Sequence, residues 1–273
     1  MDERKKIKGI ICDWAGTVID FGCIAPVTVF VDVFKKKGID ITWEEARKPM
    51  GLSKKAHIQA IMQEPRIITL WQERYGKPSG EEDVDRLYAM VEPQLAEVVK
   101  SHCDIIPGAI ELLEFCRENG VKFGTTTGYV GSMMRNIIPL VSEKGFIPDC
   151  IVASDEVPYG RPSPFMLFEN MKRMNRYPAS QMVKIGDTVA DIQEGLNAGM
   201  WTIGLTLSGN ETGLTRSQLE ALPESEIHEL RSKASKRLLK AGAHYTCDGI
   251  WSVLPILRGI NEKGSITNRM DDW

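Results

Sequence analysis

At 273 residues, with 42% hydrophobic and 26% charged side chains and with 24 glycines and 14 prolines scattered rather than periodic, the chain can bury a full globular core, which excludes disordered and fibrous architectures. A formal net charge of −3 offers no general attraction to a polyanion, so nucleic acid is not an expected partner. No run reaches the ~18 apolar residues of a membrane span, and the opening MDERKKIKG leads into a strand-like segment rather than a signal-peptide core, so the expected setting is cytoplasmic, with no membrane partner. Six cysteines, far apart and without a C-x-x-C, suit reduced thiols that fill the core.

Residues 8–12 form the first short apolar segment and read as a strand. The long stretch that follows holds no convincing strand, but residues 25–37, 54–63 and 81–100 carry apolar side chains at three- and four-residue intervals, the pattern of amphipathic helices. It reads as a helical cap over 22–101, inserted into an α/β core formed by 1–21 and 102–273. An insertion directly after the first strand emerges at the carboxyl edge of a parallel sheet, where it can roof an active site. Ile106-Pro-Gly-Ala then opens a helix to about Asn119, with Gly120 ending it. Strands at 121–125, 150–153, 182–185, 201–205 and, more weakly, 244–246 alternate with helical segments. The predicted class is therefore a doubly wound α/β fold with a parallel sheet. Residues 208–217, rich in Gly, Ser, Asn and Thr, read as a surface loop, 224–240 as a charged, solvated helix, and 261–273 as a loosely ordered tail.

Four places combine a strand with a polar group. Asp13 follows the first strand and opens the turn Asp13-Trp-Ala15-Gly16-Thr17; taken alone, such an aspartate could simply cap its turn. Thr127-Gly128, Arg161-Pro162 and Gly186-Asp187-Thr188-Val-Ala-Asp191 each read as lying immediately after a later strand of the same sheet. In a parallel sheet these ends converge on one edge, bringing carboxylates, a hydroxyl and a guanidinium into one small volume. Asp13 and Asp187 offer hard oxygen ligands to Mg²⁺. Thr127, the backbone N–H groups near Gly128, and Arg161 suit phosphate oxygens.

The four motifs in this order resemble the haloacid dehalogenase superfamily, with a Rossmann-like core. That resemblance implies that Asp13 is the nucleophile that forms an aspartyl-phosphate. It also implies that Thr127, Gly128 and Arg161 hold the phosphoryl group, that Asp13, Asp187 and the Ala15 carbonyl bind Mg²⁺, and that Asp191 and Thr17 support the site. One departure stands out. Phosphomonoesterases of the superfamily carry a second aspartate two residues after the nucleophile as general acid, and here that residue is Ala15. Alanine cannot donate a proton, which points away from an alkoxide leaving group and towards carbon.

Expelling a carbanion requires an electron sink, and an imine formed with a lysine provides one. The segment Arg47-Lys48-Pro49-Met50-Gly51-Leu52-Ser53-Lys54-Lys55-Ala56-His57 offers three lysines, each of which would otherwise be an ordinary surface charge. Together with DWAGT, TTTGY, GRPSP and GDTVAD it is similar to the phosphonatase branch of the superfamily, over nearly the whole chain. The resemblance implies Mg²⁺-dependent hydrolysis of the P–C bond of phosphonoacetaldehyde to acetaldehyde and phosphate, within 2-aminoethylphosphonate degradation. By the same likeness Lys54 is the Schiff-base lysine, His57 its proton-transfer partner, and Cys23, Met50 and Tyr129 surround the imine. Lys55 or Lys48, together with partial desolvation, would favour the neutral amine. A homodimer is implied as well, while His102, His228 and His244 are left as structural or surface residues. Two other readings of the same residues are a sugar-phosphate phosphatase or mutase with no covalent lysine, and a phosphate binder without turnover.

Overall fold

The computed structural model describes residues 6–263. Its apolar segments become six strands, β1 (Gly9–Cys12), β2 (Lys122–Thr127), β3 (Cys150–Ala153), β4 (Met182–Gly186), β5 (Trp201–Leu205) and β6 (Tyr245–Cys247), in one sheet of order β3-β2-β1-β4-β5-β6. Every pairing is parallel. β1, β4 and β5 are buried at every position, which is why they read as continuous apolar runs rather than alternations. The order reverses at β1, and open α/β sheets bind ligands beside such a reversal, outside the carboxyl ends of the strands.

The helices are, in chain order, α1 (Ile24–Lys36), α2 (Trp43–Arg47), α3 (Lys54–Met62), α4 (Pro65–Tyr75), α5 (Glu81–Val98), α6 (Ala109–Glu118), α7 (Gly131–Glu143), α8 (Phe165–Met174), α9 (Val189–Asn197), α10 (Arg216–Glu220), α11 (Glu224–Lys240) and α12 (Val253–Lys263). No helix among the described residues is long and apolar enough to cross a membrane. The doubly wound α/β class is observed. Helices α1 to α5 all lie between β1 and β2, and α1 and α3 both pack on α5. α1 buries Val27, Phe30, Val33 and Phe34, each contributing ~1.5–3 kcal/mol when fully removed from water. α5 answers with Val84, Leu87, Val91 and Leu95.

Sequence periodicity misses α2 and α4. α2 has five residues and is held by a capping box in which Thr42 accepts from Glu45 N–H and the Glu45 carboxylate accepts from Thr42 N–H, too short for a period to show. α4 buries only Ile67 and Trp71 and leaves Ile68 exposed, so its apolar stripe is narrow. The sixth strand is shifted by one residue from its expected place. The expected surface loop starts inside the protein, since Ser208 and Asn210 are buried. Residues 261–263 complete α12, with Asn261 Oδ1 accepting from Ile7 N–H at 2.8 Å. The rest of the expected tail lies outside the described residues.

Where the chain leaves β1 for the helices, Asp20 accepts from the N–H groups of Ile24 and Ala25 at 3.0 and 3.1 Å, capping α1. Burial pushes its carboxyl up to about 6, against the pull of His102 and the two N–H donors. Between the ordinary 3.8 and about 6 the folded chain keeps a proton that the unfolded chain has released. Stability is therefore lost as pH rises through that window and is flat above it. Denaturant titrations should show the unfolding free energy of the wild type falling relative to Asp20→Asn by ~2–3 kcal/mol between about pH 4 and pH 7. The opposite trend would refute this assignment.

Candidate active site

Strand register sets the geometry at the sheet edge. Cys12 is level with Thr125 of β2 and Ile185 of β4, and Asp13 N–H extends the ladder to Ile185 O at 2.9 Å. Asp13, Thr127 and Asp187 thus come to the carboxyl ends of three neighbouring strands, all buried. Thr127 is the last residue of β2, and its Oγ1 accepts from Tyr129 N–H at 3.1 Å, fixing the turn through Gly128. Asp187 is held on both oxygens, by Thr17 Oγ1 at 3.1 Å and by Asn210 N–H at 2.7 Å. Asp191 is the third helical residue of α9. It shares a capping box with Thr188, whose hydroxyl donates to Asp191 Oδ2 at 2.6 Å.

Arg161 does not follow β3 directly as expected. It lies eight residues beyond Ala153, in the loop before α8, and reaches back over the sheet edge. Nη2 donates to Asp13 Oδ1 at 2.7 Å and to Thr126 Oγ1 at 2.6 Å, Nη1 lies 3.2 Å from Asp191 Oδ1, and Nε donates to Glu194 Oε2 at 2.9 Å. Lys184, in the middle of β4 and fully buried, stands 2.9 Å from Asp191 and 3.2 Å from Glu194, and donates to Thr126 Oγ1 at 2.8 Å. Burial raises the Asp13 carboxyl, while Arg161 pulls it back. Burial also works on Asp191, but there Arg161 and Lys184 outweigh it and hold the group low.

Lys184, Glu194, Thr126 and Asn210 were not found by sequence reasoning. One signal was available, because a lysine inside the apolar run Met-Val-Lys-Ile-Gly of a central strand needs a buried counter-charge.

The donor set fits a divalent cation. Carboxylate oxygens of Asp13, Asp187 and Asp191 lie within 4.8 Å of one another. Four buried carboxylates, Asp13, Asp187, Asp191 and Glu194, face two buried cations, Arg161 and Lys184, a formal excess of two negative charges. Burial, together with Asp13 and Asp191, pushes Asp187 far above the usual carboxylate range, the mark of a site short of positive charge. Hard oxygen donors of this kind suit Mg²⁺. Asp191 is ion-paired to Arg161 and Lys184 through Oδ1, which has no hydrogen-bond partner, and accepts from Thr188 on Oδ2, so it is placed to orient the two cations.

The inserted helices supply the other wall. Lys54 and His57 lie one turn apart on α3 and are both buried. Lys54 Nζ sits 4.9 Å from the Tyr129 ring centroid and 5.9 Å from that of Phe30. Burial lowers its affinity for a proton, Arg161 lowers it further, and Cys23, Asp13 and Asp20 oppose. The surface lysines expected to help do not. Lys55 pairs with Asp85 and Lys48 with Glu64, both half exposed. His57 Nε2 lies 2.8 Å from the Ala46 carbonyl, which can only accept, so Nε2 carries the proton and Nδ1 is a buried acceptor without a partner. Burial and then Lys54 keep the ring neutral, and it stacks on Phe30 at 4.0 Å.

Cys23, at the N-terminus of α1, and Tyr129 are buried and protonated, each raised first by desolvation. Met50 is buried in the loop before α3, and next to it Gly51, at φ +93°, brings its carbonyl to 3.4 Å from Arg161 Nη1. A Cβ at Gly51 would fall 2.4 Å from Thr188 Oγ1, and one at Gly128 2.6 Å from Leu52 O. Insertion and sheet edge therefore meet nearly backbone to backbone.

A strand-end aspartate, a buried guanidinium and an acidic cluster thus come together under a helical insertion. The sequence matches the family model for haloacid dehalogenase-like hydrolase over residues 7–199, and the chain belongs to that family. Two proteins of Syntrophobacter fumaroxidans are similar along almost its whole length. One, named phosphonoacetaldehyde hydrolase-like protein, is 44% identical over 259 residues, 95% of this chain and 94% of the relative. The other, named phosphonoacetaldehyde hydrolase, is 42% identical over 256 residues, 94% of this chain and 92% of the relative. The crystal structure of a phosphonoacetaldehyde hydrolase like protein from Oleispira antarctica matches with a TM-score of 0.93 at 37% identity, covering 95% of this chain and 94% of its own. Within the haloacid dehalogenase-like hydrolases, the chain thus groups with the phosphonoacetaldehyde hydrolases.

The buried ion network makes its own prediction. Lys184→Met leaves Asp191 and Glu194 short of a cation and should lower the unfolding free energy by ~3–5 kcal/mol. In a double-mutant cycle, Lys184→Met with Glu194→Gln should cost less than the two single losses added together. Strict additivity in denaturant melts would show that the two side chains do not act as a pair.

Proposed function

We propose that this chain hydrolyses the P–C bond of phosphonoacetaldehyde to acetaldehyde and phosphate, with a lysine imine and an aspartyl-phosphate as covalent intermediates. The observation that carries this reading is the amine of Lys54, buried against the Tyr129 and Phe30 rings where burial lowers its proton affinity, combined with alanine at position 15. The names of the relatives support the same substrate.

The phosphonate lies at the sheet edge on Thr127, the N–H groups around Gly128, and Arg161. Mg²⁺, held by Asp13, Asp187 and the Ala15 carbonyl, would offset the charge of the phosphonate oxygens. Lys54 Nζ adds to the aldehyde carbon, and His57 Nδ1, directly or through water, takes up a proton from the adding amine. Loss of one water leaves the protonated imine. Asp13 then attacks phosphorus, the P–C bond breaks, and its electron pair moves into the imine to give an enamine on Lys54 and a phosphoryl group on Asp13. One water cleaves the aspartyl-phosphate. Protonation of the enamine carbon and a second water release acetaldehyde and restore the amine, for a net consumption of one water. Cys23, Met50 and Tyr129 supply an uncharged wall around the imine. An aldehyde β to phosphorus is what transfer of the amino group of 2-aminoethylphosphonate to a keto-acid acceptor leaves, and we place the reaction after such a transamination.

Lys54→Arg keeps the charge and forfeits imine chemistry, so kcat/KM for phosphonoacetaldehyde should fall by ~10⁴-fold or more, and His57→Ala by ~10²-fold. Borohydride added during turnover should leave a reduced adduct on Lys54 by peptide mass spectrometry. Near-normal turnover by Lys54→Arg, or an adduct found solely on Lys55, would eliminate the mechanism.

The pH profile offers a second test. Imine formation needs the neutral amine, so the acid limb of kcat/KM should lie below the 10.5 of an exposed lysine, with activity rising as pH rises through it. Ala15→Asp adds a carboxylate near that amine and should move the limb to higher pH. An unmoved limb would show that the two side chains do not sense each other.

A further inference from the structure

Arg47 ends α2, three residues before Met50, and belongs to the insertion, and its side chain reaches both the first residues of the insertion and a loop of the core. Nη1 donates to Gly22 O at 2.8 Å and Asn210 Oδ1 at 3.3 Å, with Cys23 O at 3.4 Å, while Nη2 donates to Gly213 O at 3.1 Å. Asn210 answers with its side-chain amide, which donates to Arg47 O at 3.2 Å. The backbone N–H of the same asparagine donates to Asp187 Oδ2 at 2.7 Å.

Close contacts fit the loop to both neighbours. A Cβ at Gly213, where φ is +65°, would fall 2.4 Å from Arg47 Nε, and one at Gly209 would fall 2.2 Å from Asp187 Cβ. Ser208 Oγ donates to Gly16 O at 2.8 Å, tying the loop to the turn after Asp13.

From this chain of contacts we infer that Arg47 and Asn210 form a relay by which the docked insertion fixes the carboxylate of Asp187 and so sets the affinity of the site for Mg²⁺. The inference rests on the proposed Mg²⁺ role of Asp187. Arg47 is a positioning residue, acting through Asn210 and touching neither metal nor substrate. Only a guanidinium fork can serve carbonyls on both sides of the junction at once. Because coupling is reciprocal, Mg²⁺ binding in turn favours the docked insertion.

The test is calorimetric titration of the substrate-free protein with Mg²⁺. Arg47→Ala should weaken Mg²⁺ binding by ~10-fold, the usual size of an effect exerted through a ligand's hydrogen-bond partner. Arg47→Lys, which keeps the charge and the bulk, should recover little of it. Asn210→Ala retains the N–H to Asp187 and severs only the link to Arg47. It should weaken binding to the same degree, and the double variant should be no weaker than either single one.

Wild-type Mg²⁺ affinity in Arg47→Lys and Asn210→Ala, or effects of Arg47→Ala and Asn210→Ala that multiply independently, would overturn the relay. Turnover of phosphonoacetaldehyde by the wild type is measured separately. Its failure would remove the proposed reaction while leaving the affinity result to decide the relay.

Discussion

Burying four carboxylates at the end of one sheet is the constraint around which the molecule is arranged. Unpaired, each would cost several kcal/mol, and Arg161 is the group that meets most of that demand. Its fork contacts Asp13 after β1, Asp191 and Glu194 on α9, Thr126 on β2, and the Gly51 carbonyl of the insertion. One guanidinium therefore orients the Asp13 carboxylate, ties the end of β1 to β2 and α9, and gives the insertion a core partner. Arginine suits this position better than lysine because the acceptors lie in several directions at once.

Chemistry is divided along the same seam. The sheet edge gathers the charged groups that suit phosphorus, and the insertion brings the amine, the imidazole and the apolar wall. Burial at this junction is a single physical cause that acts on several groups. Loss of solvent makes Lys54 and His57 poorer bases while Cys23 and Tyr129 hold their protons. Burial thus disfavours charge on all four of these groups, the direction that attack on a carbonyl by an amine would need. Phe30 links this to folding, since it belongs to the apolar face of α1 and also stacks on His57.

The residues legible in the sequence are those whose position follows from local pattern. Asp13, Thr127 and Asp187 are marked by the apolar strands that precede them, whereas Lys54 and His57 are singled out by the family resemblance and not by local pattern. What stayed hidden depends on pairings distant in the chain. Glu194 looks like an ordinary polar residue of α9 until β4 places Lys184 beneath it. Asn210 lies in a stretch whose composition says surface loop, yet 23 residues separate it from the carboxylate its N–H satisfies. Arg47 is one cation among several in a basic run, and nothing local distinguishes its partners from the salt bridges of Lys48 and Lys55. Local pattern reports which side chains want burial, and only the fold decides which charges are buried together.

Alanine at position 15 and lysine at position 54 are best understood as one feature. A carboxyl at 15 would stand two residues from Asp13 on the same turn, adding an anion to an edge already in deficit. Lys54 already feels Asp13 and Asp20 pulling its proton affinity up against burial, and a further carboxylate would strengthen that pull. A higher proton affinity would leave less of the neutral amine that the proposed imine chemistry needs. In the proposed reaction, the acid needed to protonate an alkoxide and the neutral amine needed to form an imine would compete for the same local potential. A site that uses the second does better without the first.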